Sequence, residues 1–121
     1  MKRVLIVDDD IDILEVLQIA FESKGYEVFT LSDGLKVPES IKQFSPGVIL
    51  LDVFLGKTNG VSICNQLKSH PGTKSIPVIL FSAHSNAENI LKACPADGFI
   101  GKPFNLNHLI ELVESQNKPG A

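Results

Sequence analysis

Long apolar runs are missing from this chain of 121 residues: the longest unbroken ones, Val4 to Val7, Val48 to Leu51 and Val78 to Phe81, hold four residues each. A membrane-spanning helix needs about 20 consecutive apolar residues, so none of these crosses a bilayer. Met1-Lys2-Arg3 has the charge of a signal-peptide start, but the apolar stretch behind it stops at Asp8, too short for the core of an export signal. The expected location is therefore the cytoplasm. Cysteine is scarce as well. Cys64 and Cys94, thirty residues apart, make neither a disulfide framework nor a metal knuckle, and they read as reduced core thiols. An excess of positive charge is also absent. Lys plus Arg is 11 against 14 Asp plus Glu, a net charge of −3, which gives no global reason to bind nucleic acid or an anionic membrane. No repeat or low-complexity tract interrupts the chain before Gln116-Asn117-Lys118-Pro119-Gly120-Ala121, which reads as a frayed end.

What is present is one globular domain. Apolar residues make up 44% and charged residues 21%, too apolar for a disordered tail. A chain of this length builds one core that buries roughly two-thirds of the surface exposed when unfolded. The domain is expected over residues 1–117, with 118–121 as a disordered tail. The acids are not spread evenly, for four of the seven aspartates fall between Asp8 and Asp12.

Two periodicities alternate along the chain. Short aliphatic or β-branched runs predict strands at Val4–Val7, Val28–Leu31, Val48–Leu51, Val78–Phe81 and, more weakly, Gly98–Gly101. Three of these are unalternated apolar runs, as expected of strands covered on both faces of a parallel sheet. Between them, Leu14, Leu17 and Phe21 mark a helix from Ile11 to Lys24 that ends at Gly25. Leu35 to Phe44 is a poorer helix, because Pro38 is harmless only in a first turn. Asn59-Gly60 opens a third, with Val61, Cys64, Leu67 and Lys68 on one side. Ser85 to Cys94 forms a fourth, with Ser85 and Glu88 as a capping box. Leu106, Leu109, Ile110 and Val113 form a fifth. Five β-α units with right-handed crossovers predict an α/β fold: a flavodoxin-like doubly wound sandwich, its five-stranded parallel sheet in the order 2-1-3-4-5.

Polar residues follow the inner strands at their carboxyl ends, where an open parallel sheet forms its ligand crevice. The first strand runs into Asp8-Asp9-Asp10, the third into Asp52, the fourth into Ser82 and the fifth into Lys102. Each has a bland reading. Asp after a strand is a common helix N-cap, Ser82 alone reads as a cap or turn residue, and Lys102 alone as a solvated lysine. Their conjunction at four strand ends favours a site. Carboxylates packed together repel, so one must take a proton or the cluster must take a cation, and a hard divalent ion such as Mg²⁺ suits oxygen ligands and water. A carboxylate beside such an ion, a lysine and a hydroxyl is suited to accept a phosphoryl group.

Over essentially its whole length the sequence resembles the receiver domain of bacterial two-component response regulators. The matching pieces are Lys2-Arg3-Val4-Leu5-Ile6-Val7-Asp8-Asp9-Asp10, Val48-Ile49-Leu50-Leu51-Asp52 with Gly60 eight residues later, Phe81-Ser82-Ala83, and Lys102-Pro103-Phe104. The resemblance implies that Asp52 is the phosphoacceptor. It implies that Asp9, Asp52 and the backbone carbonyl of Phe54 hold Mg²⁺ (or Mn²⁺), with Asp8 acting partly through water. Ser82 would hydrogen-bond the phosphoryl group, Lys102 would pair with it, and Phe99 would be the switch aromatic. Phe54 and His84 would flank the path of the hydrolytic water. The Lys102-Pro103 bond is similar to one that the family holds in cis. The implied donor is a sensor histidine kinase or a histidine phosphotransfer protein, and the implied output face is the fourth helix, fifth strand and fifth helix. The chain would itself be no enzyme beyond promoting its own phosphorylation and slow dephosphorylation.

Departures from the family pattern touch the loops. Gly56 replaces a frequent proline, which should loosen the loop after the acceptor, Pro38 is unusual in the second helix, Pro95 stands where glycine is common, and Phe99 lacks a tyrosine hydroxyl. Other signals are set aside. Gly56-Lys57-Thr58 imitates the end of a phosphate-binding loop, but Leu51 stands where its first glycine belongs. His70, His84 and His108 share no ligand spacing. The rival enzyme reading is a small Mg²⁺-dependent phosphatase of haloacid dehalogenase type with Asp8 as nucleophile, from Asp8-Asp9-Asp10. It leaves Asp52 unexplained and finds no acidic pair after Lys102. A flavin-binding reading would put an anion among the carboxylates of Asp8–Asp12, which repel it. Because the chain ends just after the fifth predicted helix, it is expected to carry no nucleic-acid-binding output. It is either a stand-alone receiver or a piece of a longer regulator or hybrid kinase, and Met1 favours an intact start.

Overall fold

A computed structural model describes residues 2–56, 58–82 and 87–116. The elements are β1 (Arg3–Val7), α1 (Ile11–Glu22), β2 (Glu27–Leu31), a 3-10 turn (Gly34–Lys36) running into α2 (Val37–Phe44), β3 (Val48–Asp52), two short strands β4 (Phe54–Leu55) and β5 (Thr58–Asn59), α3 (Gly60–Ser69), β6 (Val78–Ser82), α4 (Ala87–Ala93), β7 (Gly98–Gly101) and α5 (Leu106–Gln116). Five strands pair in parallel in the order β2-β1-β3-β6-β7, which is the expected 2-1-3-4-5 once β4 and β5 are left out of the count.

The apolar runs follow from burial on both faces. Along β1, Val4 and Ile6 enter one core cluster while Leu5 and Val7 enter the other. Val48 and Leu50 part from Ile49 and Leu51 in the same way along β3, as Ile79 and Phe81 part from Val78 and Leu80 along β6. The first cluster takes Leu14, Leu17 and Phe21 of α1 and Leu109, Ile110 and Val113 of α5. The second takes Val37 and Ile41 of α2, Ile63, Cys64 and Leu67 of α3, and Cys94. With no outward face to solvate, these central strands have no reason to alternate. Cys64 and Cys94 are buried free thiols, and burial together with the hydrogen bond its S–H donates to Cys94 pushes the Cys64 thiol upward.

Local chemistry sets the element ends. Pro38 lies in the first turn of α2, where its missing N–H costs nothing, and the 3-10 turn ahead of it supplies the entry. The helix expected to run poorly across Leu35–Phe44 is thus split in two. Helix α1 stops at Glu22, with Ser23 at its cap and Gly25 two residues further on, rather than running to Lys24. Asn59 caps α3 by accepting from the Val61 N–H at 2.7 Å. The capping residue Ser85 and the tail from 117 onward lie outside the described residues.

One element was not legible. The stretch after Asp52, read as a loop, is a hairpin in which Phe54 pairs with Asn59 and Leu55 with Thr58. Gly56 turns it with φ +61, a left-handed conformation that proline, fixed near −65°, never adopts. Glycine therefore shapes this turn, beyond any loosening. Among the described residues no helix is long and apolar enough to cross a membrane.

Candidate functional site

The three aspartates after β1 divide the work. Asp10 is the helix cap: its Oδ1 accepts from the N–H groups of Asp12 at 3.0 Å and Ile13 at 3.4 Å. Asp8 continues the β1–β2 ladder through its backbone N–H, which donates to the Leu31 carbonyl at 3.0 Å. Its side chain is fully buried, with Oδ1 accepting from the Asp10 N–H at 2.9 Å and Oδ2 from Lys102 Nζ at 2.9 Å. Asp9 stays exposed beside it. The bland capping role belongs to Asp10 alone.

Asp52 closes β3 and is 5% exposed. Its Oδ1 accepts from the Phe54 N–H at 3.4 Å and its Oδ2 from Lys102 Nζ at 3.3 Å. The lysine thus bridges the ends of β1 and β3. It is held from below. Its backbone N–H donates to the Ser82 carbonyl at 2.7 Å, and its ammonium lies 4.7 Å from the centroid of Phe81, whose ring meets Phe104 edge-on. The Lys102-Pro103 peptide is cis, as the resemblance implied. Ser82 is fully buried at the end of β6. Phe99 pairs in register with Leu80 and packs, half-buried, against the second core cluster. Phe54 stands at the rim, 50% exposed. His84 lies outside the described residues.

Electrostatics follow from this packing. Burial pushes the Asp52 carboxyl up to about 6, the charge of Asp8 adds to the rise, and Lys102 opposes it. For Lys102, burial alone would lower the ammonium, but its hydrogen bond to Asp8 and the charges of Asp52 and Asp8 win, and the net direction is upward. Asp8, Asp9 and Asp52 each bring a carboxylate oxygen to within 4.8 Å of the others. A hard-oxygen set with one exposed member fits a divalent cation of the Mg²⁺ kind, which keeps several waters and takes few carboxylates.

The sequence reading missed three of these partners. The anchoring of Lys102 on Asp8 joins residues 94 apart in the chain, the ring of Phe81 beneath the lysine belongs to a strand otherwise read as core, and the β4–β5 hairpin is too short to show a period.

A model of the response regulator receiver domain matches residues 4–114. The chain is similar to the DNA-binding dual master transcriptional regulator RpaA of Synechocystis, with 32% identity over 117 residues, 95% of this chain and 48% of that protein. It is similar to the nisin biosynthesis regulatory protein NisR of Lactococcus lactis, with 34% identity over 119 residues, 96% of this chain and 50% of that protein. The chain spans about half the length of these curated relatives. A CheY-like receiver domain protein from Methanospirillum hungatei shares the fold at a TM-score of 0.84 and 28% identity, covering 95% of this chain and 92% of that one. The Vibrio cholerae chemotaxis protein CheY4 does so at 0.87 and 26%, covering 96% and 98%. The matched span contains Asp8, Asp9, Asp52, Ser82 and Lys102, and the chain belongs to the response regulator receiver domain family of two-component signalling.

Proposed function

We propose that Asp52 accepts a phosphoryl group from the phosphohistidine of a sensor histidine kinase or histidine phosphotransfer protein, in the presence of Mg²⁺. The observation that carries this reading is the bridge of Lys102 across Asp8 and Asp52, with Asp9 completing the acidic cluster. A carboxyl titrating at about 6 is mostly ionised at neutral pH and able to attack. Its oxygen forms the new bond to phosphorus as the imidazole nitrogen leaves with the electron pair of the broken bond. Asp9, Asp52 and the Phe54 backbone carbonyl would hold the cation, with Asp8 acting partly through water. When bound, the cation supplies positive charge to the phosphoryl oxygens. Lys102 would add its own charge there, keeping its hold on Asp8 and exchanging its longer contact with Asp52 Oδ2 for a phosphoryl oxygen. Ser82, at the end of the neighbouring strand, would donate its hydroxyl. That contact exists only with the phosphoryl group present, and such a differential contact is what shifts a two-state equilibrium. Phe99 and the face of α4, β7 and α5 would carry the change to an output. Relatives described as DNA-binding regulators support an output of that class.

The phosphatase reading with Asp8 as nucleophile is weaker on geometry, since both Asp8 oxygens are engaged at 2.9 Å and its side chain has no exposure. The test is incubation with a small acyl phosphate and Mg²⁺, followed by mapping of the base-labile modification by mass spectrometry. Modification of Asp52, lost in Asp52→Asn, is expected. Phosphate on Asp8 with Asp52→Asn still labelled would overturn the reading.

A further inference from the structure

The β4–β5 hairpin reaches the acceptor through the Phe54 N–H, which donates to Asp52 Oδ1 at 3.4 Å. It is closed by the Thr58 hydroxyl, which donates to the Leu55 carbonyl at 3.3 Å. On its far side lies the 3-10 turn that heads α2. Gly34 there is buried against the hairpin: a methyl on its α-carbon would stand 2.6 Å from Thr58 Oγ1, 2.7 Å from Ile63 Cδ1 and 3.1 Å from Leu55 Cδ1. The Gly34 backbone is outside the left-handed region, so glycine is needed here for closeness and not for its φ. The turn is stiff. Asp33 caps it by accepting from the Leu35 N–H at 3.0 Å, the Lys36 N–H donates to the Asp33 carbonyl at 3.2 Å, and Val37 behind it is fully buried in the same cluster as Leu55 and Ile63.

We propose that this turn is a positioning element of the acceptor site, with Gly34 as the seat on which Thr58 holds the hairpin, so that the Asp52 carboxylate and the Phe54 carbonyl meet the cation in register. The proposal rests on the acceptor reading above, and it adds the turn as a residue set acting through the hairpin. A methyl at Gly34 must rotate Thr58 away from the Leu55 carbonyl or lift the turn off the hairpin. Either response loosens Phe54. Coupling between two sites is reciprocal, so cation binding must also be felt at the turn, where Leu35 is 74% exposed.

The experiment compares wild type, Gly34→Ala, Thr58→Ala and the double variant by Mg²⁺ calorimetry and by amide exchange of residues 33–36, 54–55 and 58–59 in chelator. Gly34→Ala should weaken Mg²⁺ by about three- to tenfold, at or below the lower edge of what losing an outer-shell partner costs a metal site. Its hairpin amides should exchange several-fold faster without metal. In the Thr58→Ala background the hydroxyl is gone and only the flexible tips of Ile63 and Leu55 must give way, so the same substitution should cost less than about twofold in affinity. In wild type, Mg²⁺ should slow exchange at Leu35. Unchanged Mg²⁺ affinity in Gly34→Ala, or an equal loss with and without Thr58, would overturn the proposal, even if hairpin exchange rose. If wild type itself bound no Mg²⁺ while Gly34→Ala still loosened the hairpin, the acceptor reading would fail and the contact alone would stand.

Discussion

Two lysines fasten loops at opposite ends of the sheet, and they solve different problems. At the amino end of β6, Lys68 from α3 donates to the carbonyls of Ile76 at 2.9 Å and Lys74 at 3.3 Å and pairs with Asp97 at 2.6 Å. Asp97 in turn accepts from the Val78 N–H at 2.8 Å. One ammonium meets one carboxylate, the remaining donors find carbonyls, and the arrangement is electrically closed. At the carboxyl end Lys102 touches two carboxylates, and a third, Asp9, stands beside them. Among the described residues nothing else balances the negative charge of this cluster. A charge-balanced junction is a structural tie; an unbalanced one is an open demand for a proton or a cation.

The largest effect should come from removing the lysine at the open end. Lys102→Met should slow phosphorylation of Asp52 by about 100-fold, the usual cost of deleting one group that stabilises developing charge. In chelator it should also lower stability by about 2–4 kcal/mol, because buried Asp8 loses its partner. Saturating Mg²⁺ should return part of that stability, since a cation can answer the same demand. Lys68→Met is the control that sharpens the comparison. It should cost about 1–3 kcal/mol, less because Asp97 keeps solvent contact, and melting in Mg²⁺ should recover none of it. Equal recovery in both variants would erase the distinction between the two ends.

Asp9→Asn should weaken Mg²⁺ by at least about tenfold, read by calorimetry, as it removes a charged ligand. Its gain in metal-free stability should be small, because Asp9 is exposed and water already screens it. Smaller still is the effect on lifetime. The Phe54 side chain cannot orient the hydrolytic water, and its half-exposed ring stands at the rim of the site. Phospho-Asp52 should therefore persist, and Phe54→Asn should decay faster by up to about tenfold after the donor is removed, against the larger factors that a well-placed group provides. An unchanged or slower decay would show that Phe54 is no shield.

Most of this architecture was legible because the central strands are buried on both faces and therefore spell themselves out as unbroken runs ending in polar residues. Asp8, Asp9, Asp52 and Ser82 stand where those runs stop, Lys102 follows the weaker edge strand β7, and the sheet order brings the strand ends together. What stayed hidden depends on contacts between distant residues. Nothing near Asp8 announces that it, more closely than Asp52, holds Lys102. Nothing near Gly34 distinguishes a glycine required for close approach from one that merely turns the chain. The β4–β5 hairpin pairs two residues with two, too few for a period of two to be read. Pro38 was legible as an anomaly but not as a solution, since the 3-10 turn that places it at the start of α2 is built by Asp33.

The most direct measurement of the open end is the stability difference between wild type and Asp52→Asn as a function of pH in chelator. Asp52 titrates higher in the folded protein, at about 6, than its ordinary 3.8. The folded state therefore binds its proton more tightly, so wild type should lose stability as pH rises from about 4 through about 6, by up to about 3 kcal/mol. Asp52→Asn should lack that loss, becoming the more stable protein by this increment at pH 7.5 relative to pH 4, and Mg²⁺ should narrow the gap by stabilising wild type alone. Parallel stability curves for the two proteins across this range, with Mg²⁺ acting equally on both, would contradict the claim that the carboxyl end of the sheet holds unbalanced charge centred on Asp52.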